Sequence, residues 1–199
     1  ARSRHRSSYS PVENSFVRIQ DTILKQEYRY LESRIVNSTF SKQQNYLTLE
    51  GGEKAGIRPD MGVVGHDGII GVVRHVSKNY ALAMSILNTQ LEVSVEVERT
   101  GHFGILVWNT NDPQTATVRD IAKHANIHKG DRIITRGSGG IFPRNIPVGE
   151  VIDVQSEPGA NYLDINILLD QDMTKTAHAY VVVDMFRMER DSLENLVAP

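Results

Sequence analysis

A chain of 199 residues with 40% hydrophobic and 23% charged content has the composition of a folded, core-forming protein and not of a disordered one. Its net charge of −2 provides no bulk positive field for nucleic acid or anionic lipid, so protein is the favoured partner class. Cysteine is absent, which excludes disulfides, thiolate metal sites and a cysteine nucleophile and leaves the compartment open.

The chain opens on Ala1 with a basic run of Arg2, Arg4, His5 and Arg6, and residues 1–12 are expected to be a flexible or cut start, with an anchor possible upstream. No stretch approaches the roughly 18 apolar residues of a membrane helix. Residues 13–36 contain no Gly or Pro and predict an α-helix. There Val17, Asp21, Leu24, Tyr28, Leu31 and Ile35 alternate at spacings of four and three, the a/d seam of a coiled coil broken only by Asp21. Val17, Leu24, Tyr28, Leu31 and Ile35 are therefore candidate self-association residues. The alternative is an amphipathic helix lying on its own domain, since so few heptads make a weak zipper.

Beyond Asn37 the composition turns to short β-rich runs punctuated by Gly, Pro, Asn and Asp. Twelve strands are predicted. Two lie near 34–40 and 45–50, six near 62–65, 68–76, 80–87, 91–98, 103–108 and 115–119, and four near 132–136, 147–155, 162–169 and 179–186. Leu91 to Glu98 alternates strictly, giving one buried and one wet face. Residues 53–56 and 121–126 read as short helical turns. Six strands suffice to close a small barrel, so the expected fold is mainly β: two six-stranded barrels after an N-terminal helix. The expected layout is nested, with 37–60 plus 121–188 forming one barrel, 61–120 inserted as a second, and 189–199 a flexible tail.

A repeat links the two units. Ile70-Gly71-x-Val73-x-x-Val76 returns as Val148-Gly149-x-Val151-x-x-Val154, and each copy follows a matching stretch, Ile57 to Val64 and Ile127 to Ile134.

Gly137-Ser138-Gly139-Gly140 resembles the nucleophile loop of trypsin-like proteases, which also use paired six-stranded barrels. A nucleophilic Ser138 needs a histidine base and an orienting carboxylate. His66 sits in a predicted hairpin turn and His75 in a strand pattern, neither where that fold requires its base, and Arg136 replaces the first glycine of the motif. A turn of special backbone geometry is the ordinary reading of the glycines. Asp120, His124 and His128 would share one face of a helix at metal-ligand spacing, yet His124-Ala-Asn-Ile-His128 lacks the glutamate that metalloproteases place beside the first histidine. No phosphate-binding glycine loop is present, and no cofactor is expected.

The span from Gln43 to Val183 resembles the rod shape-determining MreC family. The resemblance is carried by Asn45-Tyr-Leu-Thr-Leu49, Gly56-Ile-Arg-Pro-Asp-Met-Gly-Val-Val64, Asp67-Gly-Ile-Ile-Gly-Val-Val73, Gly104-Ile-Leu-Val-Trp108, Gly130-Asp-Arg-Ile-Ile-Thr135 and Gly140-Ile-Phe-Pro-Arg-Asn-Ile-Pro-Val-Gly149, in that order. It implies a bitopic inner-membrane protein with a dimerising coiled coil and two periplasmic barrels, protease-like in architecture but without catalytic residues. It further implies a scaffold of the cell-elongation machinery that self-assembles into a homodimer or higher array. The implied partners are the peptidoglycan transpeptidase, a class B penicillin-binding protein, and MreD. The family usually carries Gly where this chain has Asn145. Ile141 and Phe142, in a Gly/Pro-bounded loop, are candidate partner anchors, with Phe103 and Phe186 behind them; the ordinary role of each is to plug a barrel end. Trp108 is expected in the core.

Overall fold

The computed structural model describes residues 17–21, 26–156 and 159–196, with side chains from Tyr28 onward. Its first elements are strands, not the expected helix: β1 (Val17–Asp21) pairs with β2 (Gln26–Ser38) in an antiparallel ladder. β3 (Tyr46–Glu50), β4 (Gly62–Val64), β5 (Ile69–Val76) and β6 (Tyr80–Ser85) follow. Then come β7 (Val93–Val97), β8 (Phe103–Val107), β9 (Thr115–Ala122), β10 (Arg132–Thr135), β11 (Pro147–Gln155), β12 (Tyr162–Leu169) and β13 (His178–Asp184), and one helix, α1 (Arg187–Glu194), ends the described chain.

Two six-stranded barrels close. In the first, the pairing runs β2-β13-β4-β5-β6-β3 and returns through β3 to β2, with β1 continuing along the β3 edge of β2. In the second the order is β10-β11-β12-β9-β8-β7, closed by β7 on β10. The expected boundaries need correction. Strands 62–85 belong to the first barrel, because β4 pairs with β13 and β6 with β3; strands 115–169 belong to the second, because β9 pairs with β8 and β12. The inserted unit is therefore β7 to β12.

The helix prediction fails for a tertiary reason. β2 pairs with β13 over seven consecutive positions, from Tyr28↔Asp184 to Arg34↔His178, and this ladder overrides local propensity. Alternation is visible afterwards: Leu31, Ser33 and Ile35 share the side on which Val181, Ala179 and Leu49 oppose them, while Tyr28 and Tyr30 are buried on the other side. Tyr28 is buried and Leu31 and Ile35 are packed against the core, so none of the three lines a helical zipper. Val17 lies in β1, and Leu24 is outside the described residues. The expected flexible tail is also corrected in part, since residues 189–194 are helical in α1.

The repeat is structural at the level of single hydrogen bonds. Val63 faces Gly71 between β4 and β5, and Ile133 faces Gly149 between β10 and β11; each ladder shifts register immediately afterwards. Asp60 N–H donates to Val73 O and Val73 N–H to Met61 O; Gly130 N–H donates to Val151 O and Val151 N–H to Asp131 O. Both repeat glycines are bare for the same reason. A Cβ on Gly71 would meet Met84 O at 2.2 Å, and one on Gly149 would meet Leu168 O at 2.3 Å. The correspondence reaches back into the 3-10 turns Glu53–Ala55 and Lys123–Ala125, each ended by a left-handed residue, Gly56 or Asn126. Every strand from β2 to β6 matches the strand six places later, and β13 fills in the first barrel the place β7 has in the second.

The barrels interlock through equivalent connections. The 65–68 turn of the first reaches the crossover from β12 to β13, where Asp67 N–H donates to Gln171 Oε1 at 3.0 Å and Gln171 Nε2 donates to Thr176 Oγ1 at 2.8 Å. The 136–146 loop of the second reaches back to the first, where Phe142 lies on Gly62. Fully buried Asn45 ties the other crossover, donating to Lys42 O and Leu87 O, each at 2.6 Å, while Asn88 donates to Asn45 O.

Candidate partner-binding surface

The loop between β10 and β11 holds Ser138, Ile141 and Phe142, three of the residues that the sequence marks for function. Thr135 positions it: the hydroxyl donates to Pro143 O at 2.6 Å and accepts the Ile146 N–H at 2.9 Å. Asn145 adopts a left-handed backbone, φ 70°, and donates its N–H to Thr135 O; asparagine tolerates this region better than most residues, so the turn forms without the family's glycine. Gly137 and Gly139 are also left-handed, at 79° and 82°, and a Cβ on Gly137 would strike Arg144. These glycines serve close approach and turning, the ordinary role.

Ser138 lies in a 3-10 turn and makes no hydrogen bond to a histidine among the described residues, while His66 stands in the turn before β5 and His75 on β5 itself. Nothing here assembles a triad. The metal alternative is likewise unsupported. Asp120 is in β9 with φ 63°, not on a helix with His124 and His128, and no group of three potential ligands exists among the described residues. His124 instead meets the ring of His102 edge-on, centroids 5.3 Å apart, and His128 stands 3.3 Å from Arg99 Nη2.

The four candidate anchors separate. Phe142 is only 4% exposed and belongs to the core, filling the space over Gly62; Ile141 is half-buried beside it. Phe186, which caps the start of α1, is exposed. Phe103 on β8 is 53% exposed, with the Arg136 guanidinium 4.3 Å from its ring centroid. Trp108 is in the core as expected, its indole N–H donating to Asp112 O at 3.0 Å.

Three features escaped sequence reasoning. Glu96 falls on the wet face of the alternating strand yet is 6% exposed, because Arg144 from the loop folds over it and donates to Oε1 at 3.0 and 2.5 Å. Asp131 is buried at the end of the second barrel, held by Arg99 through two hydrogen bonds of 2.7 Å and by the His128 N–H at 2.8 Å. The Arg99 hydrogen bonds hold the Asp131 carboxyl below the usual carboxylate range, against the upward push of burial. The third is α1, whose Arg190 pairs with buried Asp184 and whose Arg187 donates to Asp60 O at 2.8 Å.

The Asp131 pair carries a pH prediction. Its pKa is depressed on folding, so its stabilisation is present above the unfolded value of about 4 and is lost as pH falls through the lower folded value. Asp131→Asn should lower the neutral-pH stability by about 1–2 kcal/mol. Thermal melts from pH 7 to pH 2 should show a shallower acid loss for the variant than for the parent.

Two closed barrels, locked together by their loops and repeating one strand plan, define a double-barrel β protein. Residues 35–183 match the model of the rod shape-determining protein MreC barrel core, and the chain belongs to that family. Among similar proteins, the cell shape-determining protein MreC of Listeria monocytogenes is 24% identical over 162 residues, covering 74% of this chain and 54% of that protein. The chain thus spans about half the length of this curated relative. A solved MreC structure from Listeria monocytogenes superposes with TM-score 0.73 at 23% identity, covering 82% of this chain and 79% of that one. A solved complex between penicillin-binding protein PBP2 and MreC from Helicobacter pylori matches with TM-score 0.63 at 21% identity, covering 78% and 97%.

Proposed function

We propose that this chain is the periplasmic scaffold portion of a cell-elongation complex, a non-enzymatic protein that binds and organises the peptidoglycan transpeptidase. The observation that carries this reading is the family membership of residues 35–183, together with the likeness to an MreC chain solved in complex with PBP2. The interlocked barrels supply what a scaffold needs: Gln171 and Phe142 fix one barrel against the other, so surfaces on both are presented at a set geometry. Half-buried Ile141 and exposed Phe186 flank the loop and the start of α1, and serve as the transpeptidase anchors. Attachment to the inner membrane through a segment outside this chain, contact with MreD, and assembly into dimers or larger arrays complete the reading.

The test is binding of the chain to the periplasmic region of the elongation transpeptidase, measured by biolayer interferometry. Replacing exposed Phe186 with Ala should weaken binding about tenfold with little change in melting temperature. A chain that does not bind the transpeptidase at all would sink the reading.

A further inference from the structure

α1 has its amphipathic faces reversed. Arg187 and Arg190 point inward, to Asp60 O and to Asp184, and no residue of the helix is buried. The apolar residues lie away from these contacts: Met188 is 80% exposed, Leu193, on the flank three residues beyond Arg190, 61%, and Leu196, past the helix end, 79%. Glu189, Leu193 and Leu196 follow at spacings of four and three and form one ridge with Met188 alongside. Of the acidic side chains of α1, Asp191 is paired with Arg187, leaving Glu189 and Glu194 exposed without an ion pair among the described residues. The outward face of the helix is therefore apolar and acidic.

The outer face of β7 and β8 has the complementary character. Exposed Phe103 and half-buried Ile105 stand on β8, and Arg136 stacks on Phe103. The other cations of that face are neutralised, Arg144 by Glu96 and Arg119 by Glu92. Of these three arginines only Arg136 has no carboxylate partner among the described residues. A guanidinium already stacked on an aromatic ring has lost much of its rotamer freedom before any ligand arrives, and its N–H edge remains open to a carboxylate.

We propose that the apolar and acidic ridge of α1 docks on the Phe103–Arg136 face of a second copy of this chain, with Glu189 meeting Arg136 and with Met188, Leu193 and Leu196 packing on Phe103 and Ile105. Charge complementarity selects the occupant, and the dimensions agree. Eight helical residues span about 12 Å, enough to cross the neighbouring strands β7, β8 and β9, whose two intervals are about 4.8 Å each. The two surfaces also flank one loop. A Cβ at Gly140 would lie 3.2 Å from Arg190 of α1, and Arg136 precedes Gly140 by four residues, at most about 14 Å of chain. Adjacent complementary surfaces allow a two-fold dimer in which the contact forms twice, each α1 on the other copy.

The inference rests on the self-assembly of the scaffold reading and names its surface; its readout uses no transpeptidase. Sedimentation velocity should show concentration-dependent association of the parent chain, and Arg136→Glu or Leu193→Glu should each weaken it about tenfold or more. All three side chains involved in these tests are solvent-accessible, so circular dichroism should show each variant folded. Arg136→Glu mixed with Glu189→Arg should recover the dimer, because the mixed pair restores opposite charges at both contacts. A parent chain that stays monomeric at roughly 100 μM, variants that associate like the parent, or a mixture that fails to recover would each overturn the proposal. Lost transpeptidase binding with the dimer intact would count against the functional reading alone.

Discussion

Phe142→Ala is expected to lower the stability of the chain by about 3–5 kcal/mol, the range for truncating a buried aromatic side chain. The loop position alone would make Phe142 a surface anchor whose loss weakens partner binding and spares the fold. The structure reverses this, because Gly62 of the first barrel has no side chain where the Phe142 ring lies, and a Cβ on Gly62 would stand 2.7 Å from Cδ1 of that ring. Truncation leaves a void between the barrels that neither backbone can collapse to fill. Urea denaturation of parent and variant measures the difference, and a change below about 1 kcal/mol would show the ring to be dispensable for packing.

The repeat glycines should be as sensitive. Gly71→Ala and Gly149→Ala each push a methyl group into the carbonyl oxygen of the neighbouring strand, Met84 and Leu168 respectively, at distances no real Cβ contact reaches. Neither carbonyl is a flexible side-chain end. Relief requires the two strands to part in a closed barrel, where parting one pair strains the rest of the ring. A loss of about 3 kcal/mol or more is expected for each, at the upper end for overpacking. Because Val63↔Gly71 and Ile133↔Gly149 occupy equivalent positions, the two losses should be similar in size. A variant melting within a few degrees of the parent would mean the strands separate more freely than the ladders imply.

Much of the fold is legible in the sequence because it is written locally. Turn residues and alternation place all twelve predicted strands on β2 to β13, and the two helical turns fall at 53–55 and 123–125. Pairing is not legible, since which strand neighbours which depends on contacts across long stretches of sequence, and the domain boundary is misplaced for that reason. The helix prediction over 13–36 fails where Tyr28, Leu31 and Ile35 fit a heptad spacing while the same segment also forms a pleated strand; only the ladder with β13 decides between them. At the surface, residue type alone marks Phe103, but Arg136 stacked upon it and Glu96 buried beneath Arg144 both depend on how the 136–146 loop folds back. No periodicity encodes that.

The place of β13 sets an order of events during synthesis. β7 to β12 are contiguous and can close into a ring as soon as Leu169 has left the ribosome. β2 to β6 emerge earlier and cannot close, because β13 must enter between β2 and β4, and everything from Ile86 to Ala177 is made before it. The portion translated first is therefore completed last, with two unpaired strand edges waiting in the interval. Completion of the first ring thus reports that the whole inserted ring has been made.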